Sequence, residues 1–405
     1  MVSKVIYPFA INSTKTDIVI SEYTDFGYIS NGKEYLDAGL GNCGSFLLGF
    51  KRTDIVDAVT EKCRQLPFIS GEYFTTSSDV QKLSELLYEH SNGFRSIYSL
   101  SGSDAIETAV KVANMYHRVT GNLERKMILG ISESYHGSTY LTSSIAGGSF
   151  MTADLGRSDI TVRVDWSEND DQLLSNISAA IANTDGSKIS SLVIESCSWR
   201  SGLTSHTKSF WKALQILCHQ HDILLIIDDI AMGGGKTGKI INLPITPDIF
   251  CLGKSISGGY FPLSITMVSD RCYKEIESHF LAHGFTYSFS VSGIYSALSY
   301  FDIIKHENIL DNYSAIKTTA NQVFSMLISK GLIEKYVSHG LYYSLIYKGQ
   351  LFKIDIEQHF RKYGLHIGID NYLSNSLRVI IPLTADSEYF ESLSYRLSSA
   401  LSSIY

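Results

Sequence analysis

Short, mostly apolar runs alternate along this chain with stretches whose hydrophobic positions recur at helical spacing. Ile128 to Ser132, Ser191 to Glu195, Ile223 to Ile227 and Asp248 to Leu252 are runs of the first kind, bounded by polar or turn residues. Such runs suit strands covered on both faces. Helical spacing is carried by Ile55, Val56, Val59 and Cys63, with Thr53 as the N-cap and Pro67 as the stop. It returns in Val80, Leu83, Leu86 and Leu87, and again from Phe210 to Gln220. A strand near Tyr98 turns through Ser101, Gly102 and Ser103 into a helix running to about His117, with Gly121 beyond its end. Asp104 and Glu107 have capping-box spacing there. Towards the N-terminus, Asn31-Gly32 between apolar runs predicts a hairpin over Gly27 to Leu36, followed by a loop from Gly39 to Gly44. Beyond residue 290 the pattern predicts helices over 291–305, 312–330 and 387–403, with strands at 341–347 and 377–381.

Composition narrows the class without naming a function. The 405 residues are 44% hydrophobic and 19% charged, enough for a large core and a second domain. A net charge of -7 leaves no electrostatic footprint for nucleic acid. No apolar run approaches membrane-spanning length, and Met1 to Asp17 lacks a secretory h-region. The six cysteines are scattered without a CxxC pair and read as reduced thiols of a cytoplasmic protein. His136 has no ligand-spaced partner, so no metal site is expected.

The chemistry concentrates between Ile223 and Gly259. Asp228 and Asp229 directly follow one apolar run, and Lys254 stands just past the next, in Leu252-Gly253-Lys254-Ser255. In open α/β sheets, ligands bind outside the carboxyl ends of the strands. A partly desolvated lysine there can form a Schiff base with an aldehyde. A carboxylate there can hold a pyridine nitrogen protonated, which makes the ring an electron sink. Acid and lysine in this relation suit pyridoxal 5'-phosphate (PLP) chemistry, although either residue alone is more often a turn, a cap or a surface charge. A P-loop around Gly235-Lys236-Thr237 fails on spacing, because the motif needs a glycine where Ile230 stands.

Leu225 to Gly238, LIIDDIAMGGGKTG, resembles the LIFDEVQTGFGRTG stretch of class III (ω-type) aminotransferases. Pro247 to Leu263, PDIFCLGKSISGGYFPL, is similar to their PDIVTLGKALGGGYPL stretch. The resemblance implies an α/β fold of PLP fold type I, with a mostly parallel seven-stranded sheet in a large domain and a smaller α/β domain. The expected boundaries are an N-terminal arm over 1–50, the large PLP-binding domain over 51–290 and the small domain over 291–405. It further implies Lys254 as the Schiff-base lysine and general base, and Asp228 as the partner of the pyridine nitrogen. Ser101, Gly102 and Ser103 match the segment that holds the phosphate. Tyr135 matches the aromatic ring stacked on the cofactor, and Ile230 the residue packed on its other face. His136 and Glu195 stand in matched segments and join the cofactor-binding set. Thr286 matches a threonine that reaches the phosphate of the neighbouring subunit, which implies a homodimer with shared active sites.

The implied reaction moves an amino group from an amine or amino acid donor to a keto or aldehyde acceptor. An aminomutase, racemase or decarboxylase on the same scaffold would share these residues. A non-catalytic PLP-fold binding protein is the reading from another class, and the retained Lys254 and Asp228 argue against it. Two departures bear on substrate. Ser196 replaces a proline, and Arg200 stands where many members carry a glutamate. Arg378 matches the arginine that commonly binds a substrate carboxylate. Arg200 and Arg378 together would suit a donor with a second anionic group. The alternative has Arg200 in solvent or paired with a nearby acid.

Overall fold

The computed structural model describes residues 5–6, 8, 18–71, 74–146, 156–347, 353–369 and 375–404. Most of the sequence before Ile18, including part of the expected arm, lies outside the described residues. Strands are numbered in chain order. The N-terminal ones are β1 (Ile20–Tyr23), β2 (Gly27–Ser30) and β3 (Lys33–Asp37). Next come β4 (Arg95–Ser99), β5 (Met127–Ile131), β6 (Thr161–Val164), β7 (Ile189–Glu195), β8 (Leu224–Asp228), β9 (Ile249–Leu252) and β10 (Ser264–Val268). The last are β11 (Lys335–His339), β12 (Tyr342–Ile346), β13 (Leu365–His366), β14 (Gly368–Ile369) and β15 (Ser376–Ile380).

A seven-stranded sheet in the order β4-β10-β9-β8-β7-β5-β6 forms the centre. Its neighbours are parallel except β10, which runs antiparallel to both β4 and β9. This confirms the α/β fold with a mostly parallel seven-stranded sheet. The apolar runs are buried on both faces because helices cover both. Leu192, Ile194, Leu225, Ile227, Phe250 and Leu252 join one core cluster. Val193, Leu224, Ile226, Ile249 and Cys251 join a second, with Ala105, Ala109 and Ala113 of the helix Gly102–Val119. Alternation along a strand separates the two sets. Each buried Ile or Leu contributes about 1.5–3 kcal/mol relative to exposure.

The Asn31-Gly32 hairpin forms as expected. Ser30 pairs with Lys33, and both turn residues have positive φ, 51° and 71°, as a type I′ turn requires. The first helix begins at Thr53 itself, with Arg52 before it, so Thr53 is not the cap. The capping box also differs from expectation. It is formed by Ser101 and Asp104: the Asp104 N–H donates to Ser101 Oγ, and the Ser101 N–H to Asp104 Oδ2. Glu107 instead accepts from Thr139 Oγ1 at 2.7 Å. The segment expected as a loop from Gly39 to Gly44 is a tight helical turn over Leu40–Gly44, with Gly39 just before it.

Candidate active site

Register brings the acids together. Glu195 ends β7, Asp228 ends β8, and the two are cross-strand neighbours; Asp228 is in turn opposite Cys251 of β9. Lys254 follows β9 by two residues and opens the short turn Lys254–Ser257. Its φ is +49°, a left-handed conformation that is uncommon outside glycine and recurs at functional sites. Gly253 before it has no such strain, but a Cβ there would come within 3.0 Å of Ile230 Cγ2. Ile230 is thus packed close to the backbone of Gly253, and a Cβ on Gly102 would meet it at 3.1 Å.

These residues line one cleft of about 480 Å³. Gly102, Ser103, Tyr135, His136, Glu195, Asp228, Ile230 and Lys254 all face it. The structure therefore unites most of the residues that the sequence singled out. Ser101 does not line the cleft, and its hydroxyl is committed to the helix cap. Thr286 is exposed in the segment after Leu281 and does not face the cleft of its own chain. Arg200 and Arg378 are both buried and do not themselves line the cleft, so Arg200 does not point to solvent.

The acid is held firmly. Asp228 Oδ2 accepts from His136 Nδ1 at 2.9 Å, and Oδ1 accepts from the Ile230 N–H at 3.1 Å. Both side chains are buried. Glu195 is pushed well above the ordinary carboxylate range by burial first and by the Asp228 charge second. Two buried polar atoms here, Glu195 Oε2 and His136 Nε2, have no hydrogen-bond partner, which is costly unless a bound group supplies one. Opposite, Gly102 and Ser103 are the first two residues of their helix, so their N–H groups have no acceptor within it. The Ser138 N–H donates to Ser103 Oγ at 3.2 Å, which fixes that side chain across the turn after Tyr135.

A flat ring with a cationic nitrogen, an aldehyde and a phosphate fits this donor set. Asp228 would take the ring nitrogen, Lys254 the aldehyde, and the helix start with Ser103 the phosphate. Among the described residues no group of three or more His, Cys, Asp and Glu could hold a metal ion.

Sequence reasoning gave no role to the neighbours that complete the cleft. Trp199, Tyr260, Phe261 and Ser45 line it. Ser45 follows the turn Leu40–Gly44 directly, so that turn delivers the chain to the cleft. Trp199 carries the most contacts with charge. Arg378 Cζ stands 4.4 Å from its ring centre, Arg200 Cζ 5.5 Å and Lys254 Nζ 5.8 Å. An aromatic beside a cation in the diverged Ser198-Trp199-Arg200 run was the available signal. Lys236 was discarded with the P-loop reading, yet it is fully buried and donates to Ser255 Oγ at 2.8 Å, one residue from Lys254.

A parallel sheet presenting lysine and acid at the ends of adjacent strands, beside an open helix start, is the architecture of fold type I PLP enzymes. Within that class the chain belongs to the aminotransferase class-III family, whose sequence pattern matches residues 12–401. It is 27% identical over 307 residues to an uncharacterized aminotransferase of Sinorhizobium fredii, covering 70% of this chain and 66% of that one. It is also 27% identical to the vanillin aminotransferase of Capsicum frutescens, over 70% of this chain and 67% of that protein. The match to a probable mitochondrial gamma-aminobutyrate transaminase of Oryza sativa is 26%, over 75% and 66%. The matched chain thus spans about two thirds of these relatives' length. Among solved structures, a transaminase from the marine bacterium Virgibacillus superposes with a TM-score of 0.91 at 20% identity, covering 99% and 97% of the two chains. A PLP-bound amine transaminase from an uncultivated Pseudomonas species gives 0.88 at 23%, covering 99% of each. Both share the fold.

Proposed function

We propose that this class-III family member is a PLP-dependent aminotransferase that moves an amino group between an amine or amino acid and a keto or aldehyde acceptor. The observation that carries the reading is the convergence of Lys254, the His136-supported Asp228 and the start of the helix Gly102–Val119 on one cleft. When bound, PLP supplies an aldehyde for the lysine and a sink for electrons released at the substrate carbon. Lys254 Nζ would supply the amine that anchors it and, once free, the base that moves a proton from the donor carbon. Asp228 would hold the ring nitrogen, with the His136 N–H fixing the carboxylate's orientation. Gly102 and Ser103 would hold the phosphate, and Tyr135 and Ile230 would bound the ring.

Arg378 is the proposed anchor for a substrate carboxylate. Arg200 is better read as paired within the protein, because its charge reaches both Glu133 and Glu195. The three-part division at residues 50 and 290 is proposed on the same basis as before. It is supported by β13, which pairs in parallel with β3 and so ties the N-terminal arm to the C-terminal part. The proposed assembly is a homodimer in which Thr286, exposed in its own chain, completes the partner's phosphate site. A cytoplasmic location fits six unpaired cysteines, and no helix among the described residues is long and apolar enough to cross a membrane.

Half-reactions test the activity. Purified protein loaded with PLP should lose its visible absorbance band on addition of an amine donor and regain it with a ketoacid. Asp228→Asn should slow the first step by orders of magnitude. A wild-type band that no donor in a broad amine and amino acid panel can change would refute transamination.

A further inference from the structure

Lys254 has left-handed backbone, which a residue other than glycine keeps only where its surroundings impose it. The turn it opens is closed by the Ile256 N–H, which donates to Gly253 O at 3.1 Å, and by the Gly258 N–H, which donates to Ser255 O at 2.9 Å. A further tie comes from outside the turn. Ser255 is fully buried, and its hydroxyl donates to Gly233 O at 3.0 Å while accepting from Lys236 Nζ at 2.8 Å. Gly234 lets the two turns approach this closely. Its φ is +79°, and a Cβ there would stand 2.5 Å from Ser255 Oγ.

Full burial is rare for a lysine, because the amine must find partners that replace water. Lys236 is fully buried and finds them in Ser255 Oγ and in Gly233 O at 3.4 Å. The ionisable groups that act on it are Lys254, Asp229 and Cys43. The rest of the residue is locked in as well. A Cβ on Gly44 would come within 2.7 Å of Lys236 Cε, and Lys236 O accepts from the Leu341 N–H at 2.8 Å. One residue thus joins the turn Leu40–Gly44, the glycine-rich turn after β8, the C-terminal part of the chain and the turn that begins with Lys254. The amine's bond to Ser255 is the contact that reaches the residue next to Lys254.

We propose that Lys236 is a positioning residue for Lys254. Its buried amine pins Ser255 and so holds the following turn in the backbone conformation from which Lys254 bonds to an aldehyde in the cleft. The proposal rests on the Schiff-base reading of Lys254 for its consequence, while its cause lies in bonds within the chain.

PLP and pyridoxamine phosphate differ at one group. The first presents an aldehyde to Lys254, and the second an amine that cannot bond to it. Apparent dissociation constants for both would be measured on wild type, Lys236→Met and Ser255→Ala. Methionine keeps the length of the side chain and loses the amine, and Ser255→Ala removes the same bond from its other end. The expected result is that each variant weakens PLP about three- to tenfold more than pyridoxamine phosphate, the range of one hydrogen bond. In a Lys254→Ala background, Lys236→Met should no longer separate the two. A residue that merely supports the fold would weaken both forms alike. Equal losses, or a selective loss that persists without Lys254, would overturn the proposal. Hydrogen exchange on the cofactor-free proteins gives a second readout. Amides of the peptide spanning Lys254 to Gly258 should exchange faster in both variants while those of β7 and β8 keep the wild-type rate. Unchanged exchange over that peptide would overturn the role. If borohydride trapped no adduct on Lys254 in the wild type, the Schiff-base reading would fail, and exchange would still decide whether Lys236 holds the turn.

Discussion

At the scale of single residues, the cleft depends on buried groups whose charges are set by neighbours. Asp229, beside Asp228, is fully enclosed and accepts from Ser196 Oγ at 2.5 Å. Burial first, and then the Asp228 charge, lift its carboxyl from 3.8 to about 7. The folded chain thus holds the extra proton between these values, and its stability falls as pH rises from about 4 to 7. Lys236 is the opposite case. Burial, reinforced by the Lys254 charge, lowers its amine from 10.5 to about 7, so stability rises as pH climbs above 7 and the unfolded chain gives up its own proton. The pair therefore places a minimum near neutral pH. Urea unfolding of wild type between pH 4 and 7 should show a loss on the order of a few kcal/mol from Asp229, and Asp229→Asn should flatten that slope. A variant whose slope matches wild type would contradict the assignment. None of this was legible in the sequence. Asp229 reads there only as a second acid after the apolar run and Lys236 as part of a failed P-loop, because burial comes from chain segments far away, such as Gly44 against Lys236 Cε.

At the scale of elements, most of the fold was legible because its strands are continuous apolar runs and its helices keep strict periodicity. The strand expected to end at Glu195 and the helix expected over 312–330 are found as Ile189–Glu195 and Tyr313–Ser329. Several elements left no reading, among them β6, β10 and the helix Asp170–Thr184. The antiparallel direction of β10 depends on the chain's path between Gly259 and Leu263, which periodicity does not carry. The capping box was displaced by three residues, since Ser101, not Asp104, leaves the strand with extended backbone at φ -125°. That shift has a consequence for the phosphate site. Ser101→Ala should cost about 1 kcal/mol of stability through the lost cap and should weaken PLP binding modestly, since it loosens the turn without removing a phosphate ligand. Equilibrium unfolding and cofactor titration would check both. A loss of PLP affinity as large as that of Ser103→Ala would instead make Ser101 a direct ligand.

At the scale of the whole molecule, the chain ties its ends together and leaves Thr286 away from its own cleft. β13 lies beside β3, and the Ile380 N–H donates to Ala38 O, so C-terminal strands brace the arm that leads to Ser45. Thr286 is the residue whose role a single chain cannot show. Mixing Lys254→Ala chains with Thr286→Ala chains should restore activity, because each heterodimer would contain one site with both residues intact. Activity no greater than that of the separate variants, or a fully active monomer, would count against the shared site.

The account turns on Lys254, which stands two residues past β9 with left-handed backbone and lines the cleft with Asp228. The direct measurement is borohydride reduction of the PLP-loaded protein followed by peptide mapping. The expected result is one pyridoxyl adduct, on the peptide that contains Lys254, and none in Lys254→Ala. An adduct that persists in Lys254→Ala, or that maps to Lys236 in the wild type, would contradict the account.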